Sequence, residues 1–169
     1  YNTSAPIATI DLQDASDSGV SFTDNITNVA SPIFDITFNE DLLGAPVNGD
    51  FSNAGTATGC SFTVGALSGN TYPVTASGCS AGTLILRLAA GAVTDTSTNP
   101  NAQTDSPTVT IDRTGPDVTI EQAVAQADPT GASPINFTAV FTEATYGFTG
   151  LDVSLSGTAN PTVANVTGG

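Results

Sequence analysis

Val109-Thr110-Ile111-Asp112-Arg113-Thr114-Gly115-Pro116-Asp117-Val118-Thr119-Ile120 sets two alternating, β-branched segments on either side of a short polar turn. Val109 and Ile111, then Val118 and Ile120, recur at period two, the spacing of side chains on one face of a pleated strand. The residues between them follow no period, and their Gly-Pro pair is turn chemistry. Such a hinge between two strands is where one β domain ends and another begins.

Outward from this hinge the chain repeats itself. Ser4-Ala5-Pro6-Ile7-Ala8-Thr9-Ile10 lines up with Thr114-Gly115-Pro116-Asp117-Val118-Thr119-Ile120. Further on, Ser31-Pro32-Ile33-Phe34-Asp35-Ile36-Thr37-Phe38-Asn39-Glu40 matches residues 133–143, with one residue inserted in the later copy. Two matches in the same order make an internal repeat. The expected organisation is a linker over 1–6, a β domain over 7–112, a second linker over 113–117 and the opening of a second domain over 118–169.

Composition limits what such domains can do. Across 169 residues, 16 acidic side chains face only two basic ones, Arg87 and Arg113, for a net charge of −14. That field repels nucleic acid and anionic lipid and attracts divalent cations. Lys, His, Met and Trp are absent. Without His or Lys, Ser-His-Asp, Cys-His and Schiff-base arrangements cannot be built, and His-containing zinc sites are excluded. Paired acids of the glycosidase kind lie in turns with no aromatic platform beside them. The expectation is a protein that is not an enzyme. No apolar run reaches the ~18 residues of a membrane-spanning helix, and no signal peptide is evident, so a mature piece or internal fragment is expected.

Taken in order, Ile10 and Leu12 begin a strand. Residues 13–31 form a loop carrying Asp14, Asp17 and Asp24 around Gly19, with little apolar content to order it. Phe34, Ile36 and Phe38 alternate with Asp35 and Thr37 in the clearest strand. Cys60, Phe62 and Val64 run into a hairpin tipped by Gly69-Asn70, and Tyr72, Val74 and Ala76 return toward Cys79. A Cys60–Cys79 disulfide would tie the open end of that hairpin; closing about 20 residues stabilises by roughly 3 kcal/mol. Leu84, Leu86 and Leu88 read as one strand, Ala92-Val93-Thr94 follows, and Val109 with Ile111 closes the domain. About seven short strands at roughly 10-residue spacing predict an all-β, Ig-like antiparallel sandwich.

The second copy lays down about four strands: Val118 and Ile120, residues 135–141, Leu151 to Leu155, and Val163 to Val166. A half-sandwich this small buries too little to be stable alone. It calls for completion by further chain or by a strand from a neighbouring subunit; otherwise it is disordered. Tyr72, Tyr146 and the eight Phe are expected mostly in the core, with Tyr1 and Tyr146 as the surface exceptions.

FTEATYGFTGLDVSLSGTA (141–159), AGAVTDTSTNPN (90–101) and the Ile-Asp-x-Thr-x-Pro linker resemble the bacterial Ig-like repeats of large surface proteins and biofilm-associated adhesins. The resemblance covers most of the chain and implies tandem sandwiches on the outside of a bacterium. It also implies that the acidic loop is of the kind found in calcium-dependent adhesins. The second copy departs from this by lacking the long acidic loop, and the cysteine pair lies outside the pattern.

In such a topology the acidic loop and Asp112 meet at one pole. Asp14, Asp17, Asp24, Asp112 and Glu143, with Asn25 and Asp117 beside them, are the candidate ligands for Ca²⁺, which takes six to eight oxygens. The alternative is a solvated acidic loop holding no ion. Asn2, Asn25, Asn136 and Asn165 stand in Asn-x-Ser/Thr contexts and are candidate glycan sites. The functional expectation is a non-enzymatic structural protein of an extracellular filament, stalk or adhesin. Its partners would be other copies or tandem neighbours, joined by strand complementation and stiffened by calcium. The alternatives are a module binding a surface glycan or protein ligand, and a passive spacer in a larger secreted protein.

Overall fold

A computed structural model describes residues 3–18 and 21–168. The chain divides into two compact units, Tyr1–Arg113 and Thr114–Gly169. In the first unit the strands are β1 (Ala8–Leu12), β2 (Ile26–Thr27), β3 (Ile33–Phe38), β4 (Phe51–Asn53) and β5 (Ser61–Val64), then β6 (Thr71–Ser77), β7 (Gly82–Leu84), β8 (Leu86–Leu88), β9 (Thr104–Asp105) and β10 (Val109–Ile111).

These form an all-β, Ig-like sandwich. One layer is the antiparallel sheet β1-β3-β6-β5, and the sheets β4-β8-β9 and β2-β10-β7 supply the other side of the core. Alternation explains the layer directly. Ile10, Leu12, Phe34, Ile36, Tyr72 and Val74 are buried while Thr9, Asp11 and Thr37 face outward. Register then sets Ile10 beside Ile36 and Ile36 beside Tyr72, so the apolar residues form continuous rows across three strands. Each such side chain contributes about 1.5–3 kcal/mol on full burial.

Cys60 and Cys79 are joined. The bridge closes the open end of the β5–β6 hairpin, whose register pairs Ser61 with Ser77 and Val64 with Val74. Gly59 and Gly78, each in the left-handed region, flank it; a Cβ on either would stand 3.0 Å from the other's carbonyl oxygen.

One expectation is corrected within this unit, and two local arrangements were not anticipated from the sequence. The run from Leu84 to Leu88 is not one strand. It divides at Ile85, with Leu84 pairing to Val109 and Leu86 to Asn53 in different sheets. The Asn53 carboxamide oxygen accepts from the Ile85 N–H at 2.9 Å and Ala54 N–H donates to the Ile85 carbonyl, so side chain and loop occupy the backbone groups that would continue the ladder. Alternation survives because all three leucines stay buried. Ala92-Val93-Thr94 forms no strand, since Val93 N–H is taken by the Asn101 side chain at 2.9 Å. Finally, the β2–β10 pair is parallel, placed by Thr110 N–H donating to Asn25 O and Asp112 N–H to Thr27 O.

The second unit contains β11 (Val118–Gln122) and β12 (Phe137–Phe141), an antiparallel pair. It copies the β1–β3 pair bond for bond. Ala8, Ile10 and Leu12 stand opposite Phe38, Ile36 and Phe34; Val118, Ile120 and Gln122 stand opposite Phe141, Ala139 and Phe137. Ile7 N–H donates to the Asn39 side chain at 2.8 Å and Asn39 N–H returns to Ile7 O at 3.1 Å. Asp117 and Thr142 make the same reciprocal pair at 2.9 and 3.0 Å. Gln13 N–H to Ile33 O recurs as Ala123 N–H to Asn136 O.

A third element is also copied. Asp50 accepts from Val47 N–H at 2.7 Å across the turn Asn48–Asp50, as Asp152 does from Thr149 N–H at 2.8 Å across Gly150–Asp152. Of the four strands expected here, only two form among the described residues. Phe51–Asn53 is a strand because β8 pairs with it; residues 153–155 follow the same turn but meet no ladder partner. Val163 and Val166 lie outside any strand.

Candidate functional site

The acidic loop is ordered by polar bonds rather than by a core. Asp14–Ser16 make one 3-10 turn, and the Ser16 hydroxyl accepts from Ile33 N–H at 2.9 Å, docking the turn on β3. Gln13 donates from its side chain to Asp35 at 2.7 Å. The Ser18 hydroxyl accepts from Asn28 N–H at 2.8 Å and donates to the Asn28 side chain at 2.9 Å, cinching the loop across its neck. On its far side β2 pairs with β10, and the Arg113 guanidinium donates to the Asn28 carbonyl. Loop, last strand and start of the linker are thus stitched into one polar pole. Gly19 lies outside the described residues.

The candidate ligands are distributed as follows. Asp14 and Asp24 are exposed, and both Asp24 oxygens accept backbone N–H groups of their own loop, from Ile26 at 3.1 Å and Ser21 at 3.3 Å. Asp17 is only 3% exposed. One of its oxygens accepts from Asn25 N–H at 3.0 Å, and the other has no hydrogen-bond partner among the described residues. Asp112 is half-buried and joins the loop through its backbone N–H; Asp117 and Glu143 are exposed and belong to the second unit. Among the described residues no three Asp, Glu, Cys or His side chains are grouped to hold a metal ion.

Of the glycan candidates, Asn136 and Asn165 are exposed. Asn25 is half-buried in the left-handed region and its Thr27 is fully buried, accepting from Val29 N–H at 3.0 Å, so this triplet is not displayed. Asn2 lies outside the described residues. Tyr72 is buried as expected, but Phe22 and Phe137 are exposed along with Tyr146, which corrects the assignment of the aromatic residues to the core. Phe141 and Phe148 meet edge to face at 5.0 Å within the second unit.

A second polar node was not anticipated from the sequence. Asp95 is fully buried and accepts from Ser97 N–H and Asn99 N–H, each at 2.8 Å, and from the Asn99 side chain at 2.8 Å. Burial works against its charge, but the hydrogen bonds from Asn99 and Ser97 outweigh it and hold the carboxyl below the ordinary carboxylate value. Asn99 also donates to Ser4 O at 3.3 Å, fastening the amino-terminal linker. Asn101 bridges Val93, Ala89 and Ala102. The signal was present in the Asp-x-x-x-Asn-x-Asn spacing of residues 95–101, in a stretch otherwise read only as a loop. On the surface, Arg87 forks onto both oxygens of Asp105 at 2.7 Å across the β8–β9 pair.

Comparison with protein-family models, with curated proteins and with solved structures returns no match for this chain. No helix among the described residues is long and apolar enough to cross a membrane.

Proposed function

We propose that the chain is part of a non-enzymatic, extracellular structural protein, a filament, stalk or adhesin assembled from tandem Ig-like modules. The observation that carries this reading is the copied set of hydrogen bonds. The pair β11–β12, its two end bonds and the following capped turn reproduce the opening of the first sandwich, so the same module is laid down twice along one chain. Repetition of a module without repetition of a reactive cluster suits a protein that spans distance rather than one that turns over substrate.

Chemistry supports the extracellular setting. The Cys60–Cys79 bridge belongs to an oxidising compartment, and a net charge of −14 keeps an exposed chain soluble and away from anionic surfaces. The reading needs no bound ion. Immunogold labelling of intact cells with antibody raised against residues 1–113 tests it, together with surface adherence of cells in which the segment is deleted. Labelling along extended surface structures and weakened adherence are expected. An exclusively intracellular signal would overturn the proposal.

A further inference from the structure

We infer that the outer edge of β12 is a docking site for one further β-strand supplied from outside these 169 residues, a strand that is uncharged and apolar at alternate positions. The inference rests on the tandem-module reading and names the partner of the second unit.

The first unit shows what this edge takes. β3 is flanked by β1 on one side and by β6 on the other. Its counterpart β12 has β11 in the place of β1 and, among the described residues, no strand in the place of β6. The direction of the backbone follows from the same equivalence. Asn39 N–H points to Ile7 while Phe38 N–H points the other way, to Asn70 O at 3.0 Å. Alternation in a strand then aims the N–H groups of Phe34, Ile36 and Phe38 at β6. In β12 the equivalent residues are Phe137, Ala139 and Phe141, so their N–H groups line the outer edge.

The register of the occupant can be read off as well. β6 runs antiparallel with Val74 opposite Phe34 and Tyr72 opposite Ile36, closed at its other end by Ala76 N–H to Pro32 O at 2.9 Å. Transferred to β12, an incoming strand pairs with residues 136–140 and places apolar side chains beside Phe137 and Ala139. Those rows are what the second unit lacks: Phe34 and Ile36 are fully buried, whereas Phe137 is 63% and Ile120 59% exposed. Main-chain bonds along such an edge supply affinity, and the alternate side chains supply specificity.

Charge selects between occupants. The second unit carries Asp117, Glu121, Asp128, Glu143 and Asp152 and no basic residue, and β6, the strand in the equivalent place, carries no charge. A second copy would bring a further net charge of −14 to this edge, which repels it.

The test is a titration of the isotope-labelled 169-residue chain with a synthetic peptide of residues 69–78, followed by amide exchange. Slowing of exchange by about tenfold or more at Phe137, Ala139 and Phe141, with the first unit unchanged, is expected. A control peptide carrying Tyr72→Asp and Val74→Asp should give no slowing. No protection at millimolar peptide, or equal protection by the control, overturns the proposal. Protection that appears without peptide and grows with protein concentration assigns the edge to a second copy and also overturns it. Failure of surface labelling would sink the functional reading and leave this titration untouched, while a silent titration would sink only the edge.

Discussion

Replacing Cys60 and Cys79 together by Ser removes a cross-link that lies just beyond the ends of β5 and β6, with Cys79 at the border of the core and Cys60 packed against it. The bridged residues are 19 apart in sequence, and a loop of that size gives about 3 kcal/mol on the chain-entropy relation. With a urea slope of about 1–3 kcal/mol/M, the unfolding midpoint of the first unit should fall by roughly 1–3 M. A domain of this size should lose on the order of 10–20 °C in Tm. Urea titration followed by amide exchange at Ile36, Val74 and Leu86 reads that unit alone, since all three are fully buried in it. The Ser61–Ser77 and Thr63–Thr75 pairs should persist in the folded variant, because register is set by alternation and the hairpin turn. A midpoint shift below about 0.3 M would refute the reasoning, because the loop term would then be offset entirely by native strain. Loss of the hairpin register would refute it differently, by making the bridge a determinant of the fold rather than a restraint on the unfolded chain.

Ile36→Ala should cost about 2–5 kcal/mol in chemical denaturation, whereas Leu151→Ala, at a side chain 98% exposed, should stay within about 0.5 kcal/mol. Gly55→Ala should destabilise by about 1–3 kcal/mol, because its Cβ would meet the Thr83 carbonyl, and thermal unfolding measures it. The Asp95 carboxyl is held below its ordinary value of 3.8, so its ionised form favours the folded chain; that contribution is complete above the ordinary value and is lost as pH falls through the lower, folded one. The stability gap between the wild type and Asp95→Asn should therefore be largest near neutrality and narrow below about pH 4. A gap that does not change with pH would show that Asp95 acts through shape alone.

How much of this was legible depends on how local the determining physics is. Period two among Phe34, Ile36 and Phe38, or Tyr72, Val74 and Ala76, records which face is buried, and the structure buries those faces. The pairing of Cys60 with Cys79 followed from a hairpin signal lying between them. That the acidic loop meets the strand ending at Ile111 followed from sandwich topology. Alternation does not say which sheet a strand joins, so Leu84 to Leu88 looked continuous although the Asn53 side chain divides it. Nor does an apolar pattern make a strand where no ladder partner stands beside it, as at residues 153–155. The acids of the loop were legible as residues but not as directions. Asp24 spends both oxygens on its own loop's N–H groups while Asp17 turns inward, and only backbone geometry decides this. Asp95 was missed because a buried carboxylate is paid for by neighbours two and four residues away that look, in sequence, like any Ser- and Asn-rich turn.

The bridge across the β5–β6 hairpin also sets what the first unit yields under tension. A chain drawn out by its two ends cannot lengthen through residues that a covalent bond has already bypassed, and here those are the residues between Cys60 and Cys79. At about 3.3–3.6 Å per residue, roughly 60 Å of contour length stays locked in the oxidised unit and is released only on reduction. An oxidised module that gives way under load thus surrenders a shorter reach than its residue count implies, and the hairpin remains as a knot in the extended thread.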